Sequence, residues 1–384
     1  MKQKILQMMF AALVCAGANA QVNSGSNGSD GAFNPTTNNT VINMADHPNG
    51  IYQYTSVNIP GNVTVTFIPN VNDTPVVWLV QSNVVITGIV DISGQPGGYS
   101  AGVGGPGGYR GGNAGQNASS GLGSGGGGAW TGVSAGSGGA ASYGTLGSTN
   151  SSSGSRGLIY GNSYLIPLLG GSGGGGSSSS LTGFGGGGGG AILIASSATI
   201  QLNGSISAYG GSGYSNGGDG SGGAVRLVAL TITGSGVIAT TGINVYGDGR
   251  VRFDTYLNNF AGAVSYAVFT QGSQFVVIPT AGSGTQLTIT SVAGMPVSAS
   301  PTGIITTPDA VISAQQSNPV PVVVQCSNIP LNTAITVTVT PVGGAPVSAV
   351  GYNSTGSLGS STATISITMP RGGGFIYASA ATGN

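Results

Sequence analysis

Glutamate is missing from this 384-residue chain and histidine occurs once, as His47. Charged residues make up 4% of the sequence, eight basic and eight acidic, all of the acidic ones Asp. A typical soluble domain carries about 25%. Such scarcity excludes nucleic-acid binding through a basic surface, because phosphates demand a dense cationic footprint. It also argues against long helices, since Glu, Lys and Arg are the polar residues that favour them. There are two cysteines, Cys15 and Cys326. One His and so few thiols cannot build the nitrogen and sulfur ligand sets of zinc. The scattered aspartates do not supply the clustered oxygens of a calcium site. Asp219 and Asp248, in Gly-Asp-Gly strings, resemble calcium-binding turns, but no tandem nonapeptide follows them. No metal and no cofactor are expected.

The N-terminus reads as an export signal. Lys2 and Lys4 precede an apolar run from Ile5 to Gly17, and Ala18-Asn19-Ala20 forms an A-x-A cleavage site before Gln21. The run is shorter than the roughly 20 residues of a membrane span. Val14 stands where a lipidation site at Cys15 would want a small residue. Cleavage between Ala20 and Gln21 would leave six Arg against eight Asp, a net charge of −2, and Cys326 as the lone thiol. No intramolecular disulfide is then available in an oxidising compartment. Alternation with apolar neighbours at 322 and 324 makes Cys326 a buried, inert residue.

What the chain has in abundance is glycine, 75 residues, together with Val, Ile, Thr and Ser. Three segments start with Gly and alternate apolar with other residues: Gly190-Ala-Ile-Leu-Ile-Ala, Gly223-Ala-Val-Arg-Leu-Val and Gly249-Arg-Val-Arg-Phe-Asp. Thr74-Pro-Val-Val-Trp-Leu is a fourth relative. Behind them, Gly88, Gly204 and Gly236 fall in one column and Gly94, Gly210 and Gly242 in another. Recurrent short strands and a recurrent permissive residue predict an all-β chain whose main unit is a parallel β-helix. The inward columns would be Val76/Ile192/Val225/Val251 and Trp78/Ile194/Leu227/Phe253, with Leu193 facing outward.

The expected organisation is a signal peptide at 1–20, first β-helix coils at 21–93, a glycine- and serine-rich insertion at 94–190, and further coils at 191–260. A β-rich joint would follow at 261–305, then an immunoglobulin-like β-sandwich at 306–384, built from short strands such as Ile335-Thr-Val-Thr-Val. The insertion holds 39 Gly and 18 Ser. Its composition fits disorder, and it fits equally a set of closely packed extended glycine helices related to polyproline II.

Tyr54-Thr-Ser-Val-Asn-Ile-Pro, the Val84 to Gly94 segment, and the poly-Gly run into Gly190-Ala-Ile-Leu-Ile-Ala are together similar to secreted glycine-rich bacterial surface proteins of right-handed parallel β-helix type. The resemblance covers residues 29–260 well, and similar proteins end in an immunoglobulin-like domain. It implies architecture and an extracellular or cell-surface location, and it brings no catalytic residue.

The one charge constellation is Asp248-Gly-Arg250-Val-Arg252-Phe-Asp254, with Arg226 in the Arg252 column of the neighbouring repeat. On a strand these residues share the face opposite Val251 and Phe253. Arg226, Arg250 and Arg252 therefore form a candidate strip for weak binding of acidic polysaccharide, or merely a solvated face. A polysaccharide lyase would need a base and several charge-stabilising groups in a groove. His47 lies in a turn string, Asp46-His47-Pro48-Asn49-Gly50. The expected function is non-enzymatic, a secreted or surface structural and adhesive protein whose partners are extracellular polysaccharide or cell-envelope components. Its rivals are a β-helix polysaccharide-processing enzyme and an ice-binding solenoid suggested by Thr-x-Thr runs.

Overall fold

The computed structural model describes residues 22–132, 134–149, 152–242, 247–275, 286–297, 308–341, 347–372 and 374–380. The signal segment and its cleavage site at Ala20 and Gln21 lie outside them. The described chain is all-β, with parallel sheets first and antiparallel sheets at the end. No described helix is long and apolar enough to cross a membrane.

Three parallel ladders carry the larger share of the fold. In the first, Ile51–Ile59, Val76–Val80, Ala191–Ser196, Ala224–Gly234, Gly249–Phe260 and Ala267–Gly272 pair in that order. Trp78, Ile194, Leu227 and Phe253 align across it, as do Val76, Ile192, Val225 and Val251. Both columns are completely buried. Ile51–Ile59 and Ala224–Gly234 run on past this ladder to pair with Val84–Ile86 and Thr199–Leu202, which also pair with each other. The pairings thereby close into a six-strand parallel barrel. The third ladder joins Asn39–Asn43, Thr64–Ile68, Ile89–Asp91, Ser205–Ser207, Val237–Ala239 and Ala263–Ser265.

All three ladders aim their apolar columns at one core. Its middle is aliphatic, and each fully buried Ile or Leu there contributes about 1.5–3 kcal/mol. Its ends are aromatic: Phe33, Tyr54, Phe67 and Trp78 cluster at one, and Phe253 meets Phe260 and Phe269 edge-on at the other. Broad rings cover the aliphatic column where no further strand stacks on it. The recurrent glycines have a steric cause. A Cβ on Gly204 would collide with the carbonyl oxygen of Gly88, and one on Gly236 with that of Gly204. The column marks close backbone approach between successive repeats.

The outer side of the first ladder departs from expectation. Ala191–Ser196 is buried at all six positions. Leu193, expected to face solvent, packs with Val22, Leu79 and Val228, and Leu168 and Phe275 cover it. A second apolar layer therefore lies outside the ladder, because the glycine-rich segment folds back over it.

That segment is an array of extended chains, the second of the two readings its composition allowed. Along residues 185–190 the backbone N–H groups turn to three neighbours in strict rotation. Gly185 and Gly188 donate to Gly112 and Tyr109, Gly186 and Gly189 to Gly218 and Ser221, and Gly187 and Gly190 to Gln95 and Ile92. Carbonyls of residues 184–189 rotate likewise, accepting from Tyr214 and Gly211, from Gly102 and Gly105, and from Gly174 and Gly171. Three residues per turn without internal hydrogen bonds is polyproline II geometry. Six neighbours surround this chain, and residues 173–176 are surrounded likewise: their N–H groups donate to Leu122, Gly186, Gly139 and Ser119, and their carbonyls accept from Gly127, Gly112, Gly218 and Trp130. A Cβ on Gly187 would strike the Val103 carbonyl, and one on Gly174 that of Gly218. Only glycine lets backbones lie this close.

At the end of the chain, Gln286–Val292, Val320–Ser327 and Ser360–Ile367 form the centre of a five-stranded antiparallel sheet. Val347–Tyr352, Ala334–Pro341 and Gly374–Ala380 make a three-stranded one. Val322, Val324 and Ile365 from the first meet Ile335 and Val337 from the second in one core. Cys326 is buried in it, and burial raises its thiol pKa. The stretch expected as a joint is divided: Ala263–Ser265 and Ala267–Gly272 belong to the parallel ladders, and Gln286–Val292 to the antiparallel sheet.

Two results should follow. Gly187→Ala should lower stability by about 1–3 kcal/mol or more through overpacking, whereas Gly98→Ala, which meets no atom within 4 Å, should stay within about 0.5 kcal/mol. Thermal melts of the two variants test this. Leu193→Asp and Ile194→Asp should both abolish cooperative unfolding, because each buries an unpaired charge on a different side of one strand; a mild Leu193 variant would mean that the outer layer is not packed.

Candidate binding site at the arginine cluster

Gly249–Phe260 places alternate residues on opposite faces, so Val251 and Phe253 enter the core while Arg250, Arg252 and Asp254 point to the outer layer. Register sets Arg226 beside Arg252 and Val228 beside Asp254. The structure thus brings the residues of the candidate strip together as the repeat required. It buries Arg226 and Arg252 and leaves Arg250 half-buried. Arg226 retains 2% of its accessible surface, Arg252 5% and Asp254 none.

Asp254 is the hub. Its Oδ2 accepts from Arg226 Nε at 3.0 Å, and its Oδ1 from Arg252 Nη2 at 2.7 Å and from the Gln274 backbone N–H at 2.9 Å. Arg252 Nε reaches both carboxylate oxygens at 3.0 Å. Two further donors go to backbone: Arg226 Nη2 to the Gln274 carbonyl at 2.8 Å and Arg252 Nη1 to that of Ser163 at 3.1 Å. Burial lowers the Arg226 pKa from its ordinary value, and the Asp254 charge opposes the shift. Two guanidinium groups on one carboxylate leave a surplus positive charge, which the carbonyl dipoles of Gln274 and Ser163 solvate in place of water.

Arg250 reaches further into the glycine-rich lobe. Its Nε and Nη2 donate to the Tyr160 carbonyl at 3.1 and 2.8 Å, and its guanidinium sits 5.5 Å from the Tyr143 ring centre. Tyr143 stacks on Tyr160 at 4.4 Å, and their hydroxyls donate to the carbonyls of Leu169 and Gly170. Burial drives both phenol pKa values up. Arg252 likewise lies 4.9 Å from the Tyr164 ring centre. Arg250 and Arg252 are clamps: they fasten residues 160–164 of the lobe to the outer face of the first ladder. The expectation of an exposed cationic strip is corrected on this ground. Sequence reasoning set the flanking Asp against the like charges of the strip but missed Asp254 as a buried partner shared by two arginines, Tyr143 and Tyr164 as cation-stacking rings, and Gln274 as the backbone that completes the set. The only available signal was the Asp at i+2 from Arg252.

Beside the cluster a groove of about 470 Å³ opens between Ser163, Tyr164 and Arg252 on one side and residues 270–274 on the other. Its lining offers hydroxyls and amides, and its single cation is already held by Asp254. His47 stands elsewhere, stacked on Tyr52 at 4.2 Å and 3.3 Å from Asp30, with its carbonyl closing the turn to Gly50. Asp219 accepts from the Gly213 N–H and Asp248 from the Thr241 hydroxyl. Comparison of the chain with protein families, with characterised proteins and with solved structures finds no match.

Asp254→Asn should cost about 3–5 kcal/mol, since it strips two buried arginines of their counter-charge. Chemical denaturation measures it. An exposed binding strip would instead leave stability within about 0.5 kcal/mol.

Proposed function

We propose that the protein is a non-enzymatic structural and adhesive component, secreted or displayed at the cell surface. In this reading the three ladders are faces of a parallel β-helix. The barrel-like closure arises because two strands bend around a corner unbroken, where the strands between them are interrupted at residues 81–83 and 197–198. The two antiparallel sheets with their common core are read as an immunoglobulin-like β-sandwich. The export signal and the resemblance of residues 29–260 to glycine-rich surface proteins support the location.

The observation that carries the proposal is how the charged groups are used. Arg226, Arg252 and Asp254, the densest charge constellation in the chain, hold one layer onto another. That is the chemistry of a scaffold. Tyr377 adds a further tie, donating from Gly374–Ala380 to the Ser124 carbonyl of the lobe at 3.2 Å. Weak binding of acidic polysaccharide through Arg226 and Arg252 forms no part of the proposal, because both are buried and bonded to Asp254.

Fractionation of native cells tests it. The protein should be recovered from the medium or the cell surface with Gln21 at its N-terminus, and recovery from the cytoplasm with residues 1–20 intact would overturn the reading.

A further inference from the structure

The extended chains of the lobe reverse direction at both ends. At the end away from the ladders, the connections run through residues 98–100, 178–183 and 214–216, and hydrogen bonds bring these together. Gly97 donates to Ser212, Tyr214 to the Phe184 carbonyl, and the hydroxyls of Ser180 and Ser215 lie 3.1 Å apart. Tyr99, Phe184 and Tyr214 therefore stand on three adjacent chains, whose hydrogen-bonded backbones are about 5 Å apart. Tyr99 is 97% exposed and Tyr214 49%; Phe184 is half-buried. None of the three connections contains a charged residue. The carboxylate of Asp219 is set back along its chain and accepts from the Gly213 N–H at 2.9 Å.

We propose that this rim is a binding site for uncharged polysaccharide. Aromatic side chains on adjacent chains offer apolar surfaces to the C–H faces of sugar rings. The Ser hydroxyls beside them donate and accept, as sugar hydroxyls require. Tyrosine among Ser, Gly and Asn is also the composition of recognition loops that combine rigid contact area with adaptable hydrogen bonding. Here the loops are anchored on a backbone network, so little ordering is left to oppose binding. Without charge on the rim, Debye screening has nothing to act on. The inference deepens the adhesive reading and rests on it for its biological sense.

Native affinity electrophoresis tests it, with laminarin, mannan or hydroxyethylcellulose in the gel and polygalacturonate as the acidic arm. At least one of the three neutral polymers should retard the intact protein equally at low and high salt. Combining Tyr99→Ala with Tyr214→Ala should weaken retardation at least tenfold with an unchanged melting temperature. Retardation by polygalacturonate alone, by none of the polymers, or undiminished in the double variant would overturn the site. Cytoplasmic recovery would overturn the surface reading while leaving retardation in the gel intact, so the two failures are distinguishable.

Discussion

Contact between bare backbones governs this structure. In the lobe, N–H and C=O groups of neighbouring chains bond directly, and the approach is so close that a methyl group on Gly174 or Gly187 has no room. Glycine loses more freedom on folding than any other residue, by about 0.5–1 kcal/mol relative to alanine in regular structure. The compensation is a dense set of backbone hydrogen bonds along the central chains, each contributing about 0.5–1.5 kcal/mol net. The same contact recurs in the ladders, where Gly88, Gly204 and Gly236 let one repeat settle on the next. A single steric rule thus runs through both halves of the parallel region.

Laid over the first ladder, the lobe changes what that ladder's outer face must be. Leu193, Val228 and the paired arginines all meet protein there instead of water. Buried ion pairs gain little when compared with apolar packing, but breaking one is expensive. Asp254 with Arg226 and Arg252 therefore acts as a geometric lock. Backbone carbonyls accept from guanidinium groups in one place and in one orientation, which apolar contact alone would not specify.

The inward side of the fold was legible in the sequence, because alternation and the repeat spacing both report which residues stack. Val76 through Val251 and Trp78 through Phe253 align as read. The outer side was not legible, since nothing local in Gly249-Arg-Val-Arg-Phe-Asp tells whether its second face meets solvent or another layer. That answer depended on the lobe, whose order could not be read from composition: the same glycines suit a disordered tail and a six-neighbour array. The periodicity of three lies in hydrogen-bond direction, which leaves no mark in a run of identical residues. Arg226 and Arg252 were thus read correctly in register and wrongly in exposure.

Order of synthesis follows from the same topology. Residues 170–176 and 185–190 sit at the middle of the lobe, yet some of their partners, at 218 and 221, emerge only after Ala191–Ser196 has been made. The clamp residues Arg250, Arg252 and Asp254 come later still, 90 residues beyond the Tyr160 carbonyl that Arg250 holds. The tie from Tyr377 to Ser124 spans 253 residues. Contacts so distant along the chain close late. A ribosome feeding out this polypeptide from its N-terminus therefore releases a glycine segment that stays loose until almost the whole chain has emerged, and the lobe sets only when its last pieces arrive.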